Sequence, residues 1–330
     1  MPDVPHDQVH SVRGPVAAAD LGATLVHEHV FVLSPEMRNN LPHPPDAERL
    51  VDHAVSVLAE AGRAGVGSVV DGTIIGQGRD VALVERVAER TNVHLLVATG
   101  VYVHEELPGW FRHRAPRGAD ATDVLTEIFL RDIRTGVGAT SVRAAMVKCT
   151  LDTPEPSPDG LRAIRAAAQA QRETGVPVIS HCEARTATGL RLAKELTGLG
   201  VPPERILIGH SGDTDDLDYL ERLLGEGVNL GMDRFGYDFL LPHAKRVGVV
   251  AELCRRGYAD QLFLGHDAPC FIDWFQDEPG DRALPGGITT VHRRVVPELR
   301  ELGVPDADVR RMLTGNPRRL FTPAVPTRPE

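Results

Sequence analysis

The chain has 330 residues with 36 basic and 46 acidic side chains, a formal charge of −10 and no block of lysine or arginine, so no nucleic-acid partner is expected. An apolar content of 42% indicates a folded globular protein, and the length fits one large α/β domain or two smaller ones. The opening residues lack a signal-peptide pattern and no apolar run could span a bilayer, so no membrane partner is expected; four scattered cysteines without C-x-x-C spacing point to a reducing cytoplasm.

In chain order, eight short apolar runs read as strands: "TLVHEHV" (24–30), "GSVVDGT" (67–73), "HLLVATG" (94–100), "AAMVKCT" (144–150), "PVISHCE" (177–183), "ILIGHSG" (206–212), "VNLGMDR" (228–234) and "LFLGHDA" (262–268). Continuous apolar runs of this length suit parallel strands covered on both faces. Helical patterns lie between most of them. After the first strand, Leu50, Val51, Ala54, Val57, Leu58 and Ala61 share one face, with Asp46 as N-cap and Gly62 or Gly65 as stop. After the fourth, Ser157 caps, Pro158 opens and Gly175 ends a helix. After the sixth, "GDTDDLDYLERLLGEG" places acidic residues at the positive end of the helix dipole. Eight strands alternating with helices in one undivided chain predict a single-domain (β/α)₈ TIM barrel over residues 1–330, with a core of about 12–321 and short flexible termini. An open doubly wound sheet would need a glycine-rich turn after the first strand, and none is present.

In such a barrel, catalytic groups sit at the C-terminal ends of the strands. His27 and His29 are read at the end of the first strand, Lys148 of the fourth, His181 of the fifth, His210 of the sixth and Asp267 of the eighth. At about 31 residues per unit, the spacing from His29 allows three units to Lys148, one each to His181 and His210, and two to Asp267. Alternation along a strand puts His27 and His29 on one face, turns Glu28 the other way, and sends Cys149 and Cys182 towards the helices as apolar fillers. Any one of these histidines alone would pass as an ordinary core or surface group. Together they form a donor set for divalent metals, with zinc first and iron, cobalt or manganese compatible. Lys148 is a poor ligand as an ammonium. As a free amine it can add CO₂ to give a bidentate carbamate, so N6-carboxylysine bridging two ions is the reading for a lysine in an apolar strand.

"VHEHV", "MVKCT", "ISHCEA", "IGHSGDTDDLDYL", "GMDRFGYD" and "FLGHDAPCFIDW" resemble the phosphotriesterase-like branch of the amidohydrolase superfamily, and "TGVYV", "DRFGYD" and "CFIDW" resemble its lactonases. The resemblance implies two metal ions per chain. His27, His29 and Asp267 would hold the more buried ion, His181 and His210 the more exposed one, with Lys148 and a hydroxide between. It also implies that Tyr102 meets the substrate carbonyl, that Arg234 braces the site, that Cys270, Phe271, Ile272 and Trp274 line an acyl pocket, and that the protein is a homodimer. Asp267 would take the hydroxide's proton and relay it to the leaving alkoxide.

Long loops after the third and eighth strands carry Tyr102, Leu107, Trp110, Phe111, Phe271, Ile272, Trp274 and Phe275, an apolar channel for an acyl chain. The expected activity is hydrolysis of N-acyl homoserine lactones or other γ/δ-lactones, hence quorum quenching, with side activity on phosphotriesters. The alternatives are a phosphotriesterase or esterase with little lactonase activity, and a non-catalytic ligand-binding barrel. One departure from the lactonases leaves chain-length preference open: "ALPGGITTVHRRVV" has glycine where they carry tryptophan; "SHCEARTATG" also differs from their usual polar run.

Overall fold

Strand β1 (Gln8–Ser11) turns through Val12 and Arg13 into β2 (Gly14–Ala17), an antiparallel hairpin that no apolar run announces. Residues 7–42, 44–116, 122–280 and 287–324 are described in this computed structural model; of the expected flexible ends, residues 1–6 and 325–330 fall outside them, as does the first glycine of the "PGG" stretch, whereas residues 8–11 are paired in β1. The barrel strands follow: β3 (Ala23–Val32), β4 (Val66–Asp71), β5 (His94–Gly100), β6 (Met146–Leu151), β7 (Val178–Cys182), β8 (Ile206–Ile208), β9 (Asn229–Met232) and β10 (Leu262–Leu264). The eighth strand resumes as β11 (Pro269–Ile272), and every pairing in the barrel is parallel. β10 pairs with β9 and β11 pairs with β3, so the split eighth strand closes the ring of a (β/α)₈ barrel.

Side-chain alternation makes two apolar layers. Met146, Ile179, Leu207 and Phe263 pack inside the barrel, while Val147, Cys149, Val178 and Cys182 pack outward against the helices. The interior layer is stoppered at its N-terminal end by Val9 of the hairpin and by Leu320 and Phe321 of the last helix, Asn316–Phe321. The expected helix signals act where they were read. Asp46 accepts from the amides of Glu48 and Arg49 at the start of helix Ala47–Arg63. Ser157 caps Pro158–Thr174, which ends on left-handed Gly175 at φ 74°. The first helix runs through Gly62, and left-handed Gly65 follows its end.

The first strand needs a correction. His27 and His29 lie inside β3 rather than at its end, because β11 pairs with His29, Phe31 and Val32 and extends the strand. The register of β3 on β4 also slips between Leu25 and Glu28. Leu25 packs in the outer layer and Val26 in the inner one, so the slip lets His27 and His29 face the barrel interior. Among the described residues no helix is long and apolar enough to cross a membrane.

Candidate metal centre

Above the layer of Met146, Ile179, Leu207 and Phe263, the next inward positions on the same strands carry polar groups. β6 contributes Lys148 and β7 contributes His181. β8 and β10 stop short, and the chain beyond them turns inward through left-handed backbone at His210, φ 60°, and Asp267, φ 55°. Arg234, beyond β9, is left-handed as well at φ 65°. Such conformations cost a non-glycine residue about 1–3 kcal/mol and persist only where surroundings enforce them.

The four imidazoles are each anchored by one nitrogen. His27 Nδ1 donates to Asp233 Oδ2 at 2.9 Å and His210 Nδ1 donates to Asp233 Oδ1 at 2.8 Å. His29 Nδ1 lies 2.8 Å from the Thr73 hydroxyl, which itself donates to Asp71 Oδ1 at 2.6 Å. His181 Nε2 lies 2.7 Å from Asp152 Oδ1. With those nitrogens protonated towards their acceptors, the other nitrogen of each ring presents a lone pair to the centre. His210 Nε2 and His181 Nδ1 face each other at 2.8 Å, and Lys148 Nζ lies 2.8 Å from His27 Nε2. Asp267 divides its oxygens: Oδ1 lies 3.2 Å from His29 Nε2 and 3.6 Å from His27 Nε2, while Oδ2 lies 3.8 Å from His210 Nε2. Arg234 donates from Nε to Asp267 Oδ2 at 2.9 Å and from Nη1 to Asp213 Oδ2 at 2.8 Å; Asp213 is also held by Arg246 at 2.7 Å.

Burial sets the protonation states. It lowers His29 to about 4, lowers His181 despite Asp152, and puts His210 well below its ordinary value, so these rings are neutral and ligand-competent near pH 7. Burial also lowers Lys148 from 10.5 to about 8, against the pull of Asp267, Asp233 and Asp71. Burial alone would raise Asp267, but His210, Arg234 and His27 hold it well below the usual carboxylate range. His27, His210 and Asp267 offer ligand atoms within 4.8 Å of one another.

These residues fit a pair of divalent ions. Opposed lone pairs with nothing to share them are unfavourable, and a cation between them removes the conflict. Space is provided too: a Cβ on Gly72 would lie 2.9 Å from Lys148 Nζ and 3.3 Å from His27 Cδ2.

The centre floors a cavity of about 650 Å³. Tyr102, Arg234 and Tyr237 surround the polar end, and Val32, Val57, Phe239, Ile272, Trp274, Phe275 and Ile288 line the walls. Tyr102 packs edge-on against His181 with ring centroids 5.5 Å apart, and burial beside Asp152 raises its hydroxyl, which stays protonated. Cys270 reaches the cavity but Phe271 does not: alternation along β11 turns Phe271 into the outer core. Leu107 and Phe111 are likewise core residues, and Trp110 is exposed with Arg114 stacked over it at 4.1 Å, so loop three gives the cavity Tyr102 alone of its four candidates. Asp233, Thr73 and Asp152 escaped the sequence reading, although Asp233 is itself an acid at a strand end, the signal that found Asp267. Glu28 turns away from the centre as alternation requires and pairs with His266.

A profile of the phosphotriesterase family matches residues 7–321. A phosphotriesterase homology protein of Mycobacterium tuberculosis is 39% identical over 95% of this chain and 97% of its own length. An aryldialkylphosphatase of Saccharolobus solfataricus is 36% identical over 93% of this chain and 97% of its own. A solved structure of the phosphotriesterase from Mycobacterium tuberculosis superposes with a TM-score of 0.90, covering 95% of this chain and 98% of that one.

Proposed function

The chain belongs to the phosphotriesterase family of the amidohydrolase superfamily and is a metal-dependent hydrolase, and on that premise we propose that it opens lactones bearing an alkyl tail, N-acyl homoserine lactones or other γ/δ-lactones, with phosphotriesters as secondary substrates. The observation that carries the reading is the pairing of one polar floor with largely apolar walls: the reacting ester meets the imidazole–carboxylate cluster while Ile272, Trp274, Phe275 and Phe239 cover the tail. His27, His29 and Asp267 would hold one ion, His181 and His210 the other, with the Lys148 amine converted by CO₂ to a carbamate that serves both. Zinc is the first candidate. Bound there, the two ions would supply Lewis acidity and a nucleophilic hydroxide near neutral pH.

The chain's own groups do the remaining work. The protonated Tyr102 hydroxyl donates to the substrate oxygen at the mouth of the site. Asp267 is ionised and accepts the nucleophile's proton, and the Arg234 bond to Oδ2 holds its carboxylate in place for that task. The walls exclude water from the alkyl tail. The reading extends to a homodimer, as the family resemblance implies, and to a reducing cytoplasm, supported by four unpaired cysteines. A role in quorum quenching follows only if acyl homoserine lactones are the preferred substrates.

The test is a panel of lactones varied in ring size and tail length, assayed by acid release beside paraoxon. Catalytic efficiency should be highest for a tailed lactone. Paraoxon winning by orders of magnitude would favour a phosphotriesterase instead.

A further inference from the structure

Glu28, the middle residue of the "HEH" stretch, is fully buried on the side of β3 away from the four imidazoles. A buried carboxylate needs donors, and one short segment supplies three. Oε1 accepts from the His266 amide at 2.7 Å and from His266 Nδ1 at 2.8 Å, and Oε2 accepts from the Ala268 amide at 3.0 Å. Between those two amides lies Asp267. The His266 tautomer is fixed from its far side: the Val291 amide donates to Nε2 at 2.9 Å, so Nδ1 carries the proton given to Glu28. One carboxylate therefore ties the metal-facing strand to both flanks of Asp267 and, through His266, to the helical segment Val291–Val295.

Asp267 requires such a clamp. Its backbone is left-handed at φ 55°, and its amide donates to the His27 carbonyl at 2.8 Å. The geometry points to Glu28 and His266 as positioning residues for Asp267: they hold segment 266–268 in the conformation that sends Oδ1 towards His27 and His29 and Oδ2 towards His210. Neither residue lines the cavity, so neither meets substrate. The inference rests on the metal-centre reading, because what is positioned is a ligand.

Three variants test it: Glu28→Gln, His266→Leu and His266→Asn. The glutamine amide sets a donor against one of the three donors, and leucine removes Nδ1, whereas the asparagine amide can donate in its place. Folded Glu28→Gln and His266→Leu should lose metal to a chelator about 10–100 times more readily than wild type and drop kcat by a similar factor with KM unchanged. His266→Asn should restore both. A residue that only stabilises the fold would lower Tm and leave metal retention and kcat alone. Wild-type retention and kcat in Glu28→Gln, or a His266→Asn no better than His266→Leu, would overturn the inference. If Glu28→Gln does not fold, the His266 pair decides by itself. A wild-type protein that holds no metal would instead defeat the metal-centre reading, and this one with it.

Discussion

Lys148 Nζ lies 2.8 Å from Nε2 of His27, whose opposite nitrogen is pinned to Asp233 at 2.9 Å. The amine is thus delivered to a ring nitrogen whose lone pair faces it, in a pocket that lowers the amine to about 8. Free amine is accessible near neutral pH, which is what carbamate formation needs. Lys148→Ala should lose activity by more than the roughly 10–100-fold typical of losing an outer partner. Bicarbonate with a short carboxylic acid should partly restore it. Full turnover in the untreated variant would remove Lys148 from the centre.

Gly72 makes a steric counterpart. A methyl group there would sit 2.9 Å from Nζ, closer than van der Waals contact. Gly72→Ala should fold and bind less metal, because a carbamate on Lys148 would have nowhere to lie. Elemental analysis beside a thermal melt checks both halves of that statement.

Asp233 holds His27 and His210 at once, accepting from His27 Nδ1, His210 Nδ1 and the His210 amide. Asp233→Ala should weaken metal retention by roughly 10–100-fold, and Asp233→Asn by less, since asparagine keeps one accepting oxygen. Chelator competition ranks the three proteins.

Ile272 and Trp274 bear on tail length. Ile272→Ala should raise KM for a long-tailed lactone by about tenfold and leave an acetyl-tailed one unchanged, the scale expected for lost hydrophobic contact. Equal changes for both would place the tail elsewhere.

How far the residues announced this arrangement depends on what each signal reports. Spacing found Lys148, His181 and His210 because a barrel repeats its unit length, and alternation found the shared face of His27 and His29. Neither rule could see the β3 register slip or the left-handed turns at His210 and Asp267, which arise from pairing across the closing seam and from hydrogen bonds to Asp233 and Glu28. Phe271 misled for a related reason. Aromatic character suggested a pocket wall, but its neighbours Cys270 and Ile272 hold the inward parity. Asp233 was legible and overlooked beside Arg234.

Acid should destabilise the fold in part through histidines buried neutral. Burial lowers His292 and His10 from 6.5 to about 4, and neither His292 ring nitrogen has a hydrogen-bond partner among the described residues. Between those values the unfolded chain binds more protons than the folded one, so their contribution is full above about pH 6.5 and drains as the pH falls towards 4. Melting temperature should therefore drop less between pH 7 and 5 in His292→Leu than in wild type, a difference from which the histidines of the cluster cancel. Parallel pH profiles would contradict this.

Metal stoichiometry against turnover addresses the central claim most directly. Elemental analysis of the purified protein, before and after exhaustive chelation, should give two divalent ions per chain and then none, with lactone hydrolysis vanishing and returning as the ions are restored. Hydrolysis that survives complete removal of metal, or full activity with fewer than two ions per chain, would contradict a binuclear centre built from His27, His29, Lys148, His181, His210 and Asp267.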